Sequence, residues 1–380
     1  VPAMTFYGNV VRPILFTADA EWVHHQTVTW ARRASARPWL RRWLRKRLTF
    51  DSPRLVTTFA DQPLANPIGL AAGWDKSGEA VECFDALGFG FGEIGSISAR
   101  VSLGNPKPRL FRLPQDRSIV VNYGLPNDGC QVVAERLAKQ LPGCPLGINV
   151  VPTNDGVDVP AMSLDDAIED FVLSTQTLQP HASYITLNLS CPNVGCGEDH
   201  WASAENIGLL LQRLAEIPMK RPVVLKMRPT DELARIDGLL QQCDRHPFVR
   251  GFMANLPSGK PDSLQIRRDN DPDRLASMPG AVAGPAQSET MSRWLSHVHS
   301  RMPDGRYQLI GGGGVFTGDD AYQRIRMGAS VVQIYTAMIY EGPGVVARIN
   351  RRLDELLRRD GFANVSEAVG TANAASTLRR

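Results

Sequence analysis

No stretch of this 380-residue chain approaches the ~18–20 consecutive apolar residues that a membrane-crossing helix needs. Cysteine is sparse, and the six residues (83, 130, 144, 191, 196 and 243) are dispersed. That pattern argues against a disulfide framework and excludes the clustered four-thiolate spacing of an iron–sulfur site. One metal-like spacing, Cys191, Cys196 and His200, lacks a fourth ligand, so no metal centre is expected. The net charge is only +3, and no RNA-binding or zinc-finger pattern is present, so nucleic acid is not an expected partner. No secretory signal pattern is visible.

Acidic residues are missing from one place in particular. Between Arg32 and Arg47 there are eight basic residues and no acidic one. Trp39, Leu40, Trp43 and Leu44 form an apolar stripe at helical spacing, with Arg41, Arg42, Arg45 and Lys46 beside and opposite it. Pro38 suits the first turn of that helix. Such a helix can lie on an anionic membrane surface, or can pack its apolar stripe on the main domain; both readings stay open. Residues 1–50 are therefore read as a helical, membrane-docking segment and residues 51–380 as the main domain.

Beyond about residue 66, short apolar runs alternate with helical patterns. Eight runs read as strands: 68–71, 90–95, 146–150, 184–189, 223–227, 251–254, 308–311 and 330–335. Helical patterns are read at 78–87, 164–177, 204–217, 233–243, 288–301, 319–327 and 344–359. The strands lack polar alternation, as expected when both faces of a parallel sheet are buried. Eight such units predict a (β/α)8 TIM barrel with an N-terminal helical extension, its site at the C-terminal ends of the strands. A doubly wound sheet fits less well, because no Gly-rich dinucleotide turn follows the first strand.

The strand ends carry an unusual set of residues. The first runs into Ala71-Ala72-Gly73-Trp74-Asp75-Lys76, the second into Gly95-Ser96, and the third ends at Asn149. The fourth leads into Asn188-Leu189-Ser190-Cys191-Pro192-Asn193, the fifth reaches Lys226 and the sixth Asn255. The seventh opens on Gly311 to Gly314, and the eighth ends in Tyr335-Thr336. Small residues let a flat ring approach the backbone, and a glycine run after the seventh strand is where barrels commonly cradle a phosphate. A cysteine flanked by two amides offers a base among neutral hydrogen-bonding groups, suited to removing a proton beside a carbonyl. The plain alternative for Cys191 is a buried structural thiol, and for Lys76 a surface ion pair.

Over almost its whole length the sequence resembles the dihydroorotate dehydrogenase family, most closely the membrane-associated, quinone-using class. The resemblance is carried by the helical N-terminal segment, Gly69 to Gly73 with Asp75-Lys76, Glu93-Ile94-Gly95-Ser96 and Lys107 to Leu113. Gly147-Ile148-Asn149, the Asn188–Asn193 motif, the glycine run and Gln333-Ile334-Tyr335 complete it. It implies oxidation of dihydroorotate to orotate, in pyrimidine biosynthesis, by an FMN-dependent enzyme attached peripherally to the cytoplasmic face of the inner membrane. The implied FMN contacts are Ala72, Gly73, Ser96, Asn149, Lys226, Gly284, Gly313, Gly314, Tyr335 and Thr336. Cys191 matches the base, Lys76 would contact substrate and flavin, and Asn122, Asn188, Asn193 and Asn255 would bind the substrate ring. A quinone would reoxidise the flavin between the N-terminal helices.

Several positions depart from the family pattern. Cys191 stands where the quinone-using class carries serine, as in the soluble class. Val121 occupies the place of a substrate-binding asparagine, with Asn122 one residue late. Leu256-Pro257 stands where the family has hydroxyl residues, Val151-Pro152 replaces a Gly-Lys pair, and the loop at Gly280 to Gly284 differs in wording. These changes cluster around the substrate, so a related flavoenzyme acting on another cyclic or unsaturated carbonyl compound is the alternative expectation.

Overall fold

The computed structural model describes residues 6–156, 159–160, 162–190, 200–265, 275–302 and 305–373. Cys191, Asn193 and Cys196 lie outside the described residues.

Eight parallel strands close into a barrel: Ile68–Leu70, Phe91–Ile97, Leu146–Val150, Tyr184–Asn188, Val223–Met227, Val249–Ala254, Gln308–Gly311 and Val331–Ile334. Each expected run forms a strand, and the eighth pairs back on the first through Val332 and Ile68. Nearly every residue of these strands is buried, which accounts for their unalternating Val, Ile and Leu. Helices Leu164–Leu178, Ala204–Ala215, Leu233–Cys243, Ser288–Arg301, Gly318–Arg326 and Val345–Arg359 follow their strands as the periodicity predicts.

The stretch 78–87 is different: it is not an α-helix but two short 3-10 turns, Val81–Cys83 and Asp85–Leu87. Buried Asp75 accepts from the Glu79 and Ala80 amides at 2.9 and 2.8 Å, holding a compact loop there instead of a helix N-terminus. A helix not expected from the sequence, Cys130–Leu137, covers the next position around the barrel.

Two small sheets close the ends of the cylinder. The antiparallel hairpin Thr57–Phe59 with Gln62–Leu64 plugs the N-terminal end, where Phe59 stacks on Phe91 and meets Tyr184 edge-on. Glycine is required beside those rings: a Cβ at Gly69 would lie 2.3 Å from the Phe91 ring, and one at Gly147 2.3 Å from that of Tyr184. At the opposite end, Leu110–Leu113, Ser118–Val121 and Ala281–Ala283 form a three-stranded antiparallel sheet that walls the mouth.

The N-terminal segment forms two main helices, Ala20–Ser35 and Pro38–Leu48, the second with Pro38 in its first turn as expected. Glu21 and Arg109, both buried, clasp the first helix to the mouth sheet through contacts of 2.8 to 3.3 Å. Arg112 adds a bond to the Ala18 carbonyl at 2.7 Å. The apolar stripe on the second helix divides: Leu40 and Leu44 face inward onto the domain, while Trp39 and Trp43 are 62% and 51% exposed. No helix among the described residues is long and apolar enough to cross a membrane.

Candidate active site

The C-terminal mouth of the barrel opens into a cavity lined by Ala72, Gly73, Lys76, Ser96, Asn188, Lys226, Asn255, Gly284, Gly313, Gly314, Tyr335 and Thr336. These residues come from seven of the eight strand ends and from the mouth sheet, so the barrel gathers what the sequence scatters. The lining does not include Asn149, which lies one step behind it, against Ser96. The cavity suits a flat, phosphate-bearing group. Gly73 has a φ of +103°, and a Cβ there would meet no atom of the described residues within 4 Å, so its bare backbone leaves room for a ring. Gly313 and Gly314 also have positive φ, and their N–H groups donate to no acceptor among the described residues.

Beneath the cavity runs a chain of hydrogen bonds with one direction. Asn149 Nδ2 donates to Glu93 Oε1 at 2.8 Å, and the Ser96 hydroxyl donates to Asn149 Oδ1 at 2.5 Å. Asn188 Nδ2 donates to Ser96 Oγ at 2.9 Å, and Asn255 Nδ2 donates to Asn188 Oδ1 at 3.1 Å and to the Ser190 carbonyl at 2.6 Å. Glu93, wholly buried, also accepts from Tyr184, Thr186 and Gln333 at 3.0 to 3.2 Å. A carboxylate can only accept, so Glu93 fixes which way each amide in the chain faces. Sequence reading named these asparagines but missed Glu93, although it stands in the quoted Glu93–Ser96 motif; strand burial hides its partners until register is known.

Asn122 does not reach the cavity. Its side-chain oxygen accepts from Asn105 at 3.1 Å and its backbone N–H donates to the Arg109 carbonyl at 2.8 Å. Consecutive residues of an extended chain face opposite sides, and here Val121 takes the cavity side. Asn122 is thus not among the residues lining the cavity, where Val121 stands instead and the wall is apolar, as it is at Leu256.

Lys76 sits between the cavity and the N-terminal helices. Its ammonium lies 2.8 Å from His24 Nε2 and 4.0 Å from the centre of the Tyr123 ring. Burial, opposed in part by the Glu21 charge, brings its pKa down to about 7. His24 is held neutral, its pKa pushed well below the usual value by burial and by the Lys76 charge. Its Nδ1 lies 3.1 Å from the Tyr335 hydroxyl. Burial tends to raise the Glu21 carboxyl, but Arg109 and Lys107 more than offset it and leave the pKa lowered. Neither His24 nor Glu21 could be singled out from sequence, because both lie in an amphipathic helix without a motif.

A second cavity, of about 690 Å³, opens between the two N-terminal helices and the barrel. Its walls are mainly apolar: Phe16, Val23, Ala31, Leu40, Leu44, Leu48, Leu110, Ile119 and Met338, with His24 and Arg112 among them. Tyr335 lines both cavities.

A closed parallel barrel whose strand ends gather a mouth cavity, a half-buried lysine and a chain of oriented amides places the chain among the TIM-barrel enzymes. The particular family is set by comparison: the sequence profile described as dihydroorotate dehydrogenase matches residues 54–357, and the chain belongs to that family. A protein named dihydroorotate dehydrogenase (quinone) from Roseiflexus sp. (strain RS-1) is 34% identical, with 98% of this chain and all of that protein aligned. One of the same name from Cereibacter sphaeroides is 38% identical over 85% of this chain and 88% of its own. The crystal structure of DHODH from Eimeria tenella in complex with ferulenol superposes with a TM-score of 0.77 at 27% identity, covering 93% of this chain and 96% of that one.

Proposed function

We propose that the chain is an FMN-dependent dihydroorotate:quinone oxidoreductase working at a membrane surface. The observation that carries this reading is the shared wall. The cavity lined by nine of the ten expected flavin contacts adjoins an apolar cavity between the N-terminal helices, and Tyr335 belongs to both.

Gly313, Gly314 and Thr336 would hold the phosphate, while Ala72, Gly73, Ser96 and Lys226 would surround the ring and its side chain. FMN, when bound, supplies a two-electron acceptor for hydride. The remaining steps belong to side chains. Lys76, charged below about pH 7, draws a carboxylate-bearing ring toward the mouth. Asn188 and Asn255, held in one orientation by the chain rooted on Glu93, would hydrogen-bond that ring. Cys191 would remove the proton beside the carbonyl, a thiol being easier to deprotonate than the serine hydroxyl of the quinone-using class. A quinone would enter the 690 Å³ cavity, and exposed Trp22, Trp30, Trp39 and Trp43 with the surrounding arginines would rest on the lipid headgroups.

The direct test is anaerobic addition of dihydroorotate to the flavin-loaded protein. Bleaching of the flavin absorbance is expected, and a C191A variant should bleach about 10²–10⁴-fold more slowly. An oxidised spectrum that stays unchanged in the wild type would remove the reading. Val121 and Leu256 in the cavity wall support a second reading, a substrate that is a different cyclic or unsaturated carbonyl compound with an apolar edge. Bleaching by such a compound but not by dihydroorotate would select it.

A further inference from the structure

Arg324, on the helix Gly318–Arg326, is one of the largest fully buried side chains, 2% exposed. No carboxylate among the described residues makes an ion pair with it. Its guanidinium donates to neutral oxygens only: the Ser292 hydroxyl, the Ser288 carbonyl at 2.9 Å, the Ser288 hydroxyl at 3.0 Å and the Gly313 carbonyl at 2.8 Å. Its Nε, also buried, has no acceptor among the described residues. Asp320 is the acid that acts on it through space, but that carboxylate is already committed to the Phe316 and Thr317 amides at its helix N-terminus. Burial lowers the Arg324 pKa only to about 10, so the group stays charged at neutral pH. An unneutralised buried cation is costly, and a fold retains one where an anion repays it.

The contact with Gly313 shows where that anion would sit. In a trans peptide the C=O and the following N–H point in opposite directions. Tying the Gly313 carbonyl to Arg324 therefore turns the Gly314 N–H away from the arginine. Gly314 lines the mouth cavity, its φ of +77° excludes an ordinary side chain, and its N–H has no protein acceptor among the described residues.

We propose that Arg324 is a positioning residue for a phosphate monoester: it sets the glycine run and supplies the buried positive charge that makes the site select FMN over riboflavin. The proposal rests on the flavin reading above, and its test separates the two. Dissociation constants for FMN and for riboflavin are measured by recovery of flavin fluorescence on dilution, for the wild type and for R324M. FMN affinity should fall about ten- to a hundredfold in R324M, as for a lost charge-assisted contact, while riboflavin affinity changes less than about threefold. Equal losses for both ligands, or no loss for FMN, would overturn the proposal. Should R324M not fold, R324K keeps the charge but not the forked contacts. It should weaken FMN at least about threefold relative to riboflavin, and parallel changes would again overturn the assignment. A wild type that binds riboflavin as tightly as FMN would instead refute the FMN reading itself.

Discussion

His24 Nε2 stands 2.8 Å from Lys76 Nζ, so a ring carried by the N-terminal helix completes the surroundings of the cation at the barrel mouth. The same ring reaches Tyr335 with its other nitrogen, at 3.1 Å. The N-terminal helix is thus part of the site's electrostatics as well as a wall of the apolar cavity.

Lys76 makes the site sensitive to pH. Its folded-state pKa is about 7, against 10.5 for an ordinary lysine. Between those values the unfolded chain carries a proton that the folded one has released, so this group makes the fold more stable as pH rises from about 7 toward 10.5. Anion binding runs the other way, because the charge is lost across the same pH. Orotate affinity of the wild type should fall with increasing pH above about 7, by up to tenfold per unit. K76M should show neither trend: its orotate binding should be weak and flat with pH, and urea unfolding at pH 6 to 9 should lack the upward contribution. A K76M binding profile that keeps the wild-type slope would assign the titration to another group.

Glu93 anchors the amide chain, and E93Q tests the direction of that chain while keeping its shape. A glutamine must turn an NH₂ toward at least one of four groups that now donate to the carboxylate. If Asn149 is that group, it can accept only by flipping, and the flip passes through Ser96 to Asn188 and Asn255. The expected loss is about 1–3 kcal/mol of stability per unsatisfied group. A weakening of orotate binding larger than that of FMN should accompany it. Calorimetric titration with orotate checks this, and unchanged orotate affinity in a folded E93Q would show that the amide directions are set elsewhere.

Breaking the buried clasp should free the N-terminal helix without dissolving the barrel. Glu21 meets Arg109 through both carboxylate oxygens, and Arg109 also donates to the Leu103 and Asn105 carbonyls at 2.8 and 2.9 Å. Removing one partner of such a pair leaves a buried charge uncompensated and costs about 3–5 kcal/mol. E21A should therefore expose the segment between residues 18 and 37 to limited proteolysis while bound flavin is retained. Protection equal to that of the wild type would show that the apolar packing of the helix holds it alone.

What could be read in advance follows from range. The eight strands were legible because burial on both faces leaves a mark in each short run, and the cavity-lining residues because barrel strands all present their ends at one mouth. Contacts between distant segments left no such mark. Glu93 and Tyr184 are 91 residues apart, and Tyr335 and His24 are 311 apart. The mouth sheet joins Val121 to Ala281 across a long insertion, and its alternation decided that Val121 rather than Asn122 faces the cavity. The stretch 78–87 has helical periodicity, but Asp75 diverts it into 3-10 turns by accepting two of its amides.

The divided stripe on the helix Pro38–Leu48 allows membrane contact to be tested apart from cavity structure. Leu40 and Leu44 line the apolar cavity, while Trp39, Trp43, Arg42 and Lys46 are exposed. Arg41 and Arg45 are in part occupied by Asp85, at 3.8 and 3.0 Å, and so are poorer probes of lipid. Each basic residue near an anionic leaflet contributes about 1 kcal/mol. R42Q/K46Q should therefore weaken binding to phosphatidylserine-containing vesicles by about 2 kcal/mol, roughly thirtyfold, with little effect on binding to neutral vesicles. W39A/W43A should weaken both, since interfacial tryptophan acts without regard to headgroup charge. Neither pair should alter reduction of a short, water-soluble quinone, because the cavity leucines remain. Deletion of residues 1–48 should abolish that reaction as well, because His24 and the cavity wall leave with it, while FMN stays bound. Vesicle co-sedimentation and stopped-flow flavin reoxidation measure the two effects separately. Undiminished vesicle binding by the four-residue variant W39A/R42Q/W43A/K46Q would show that the protein meets the bilayer through another face.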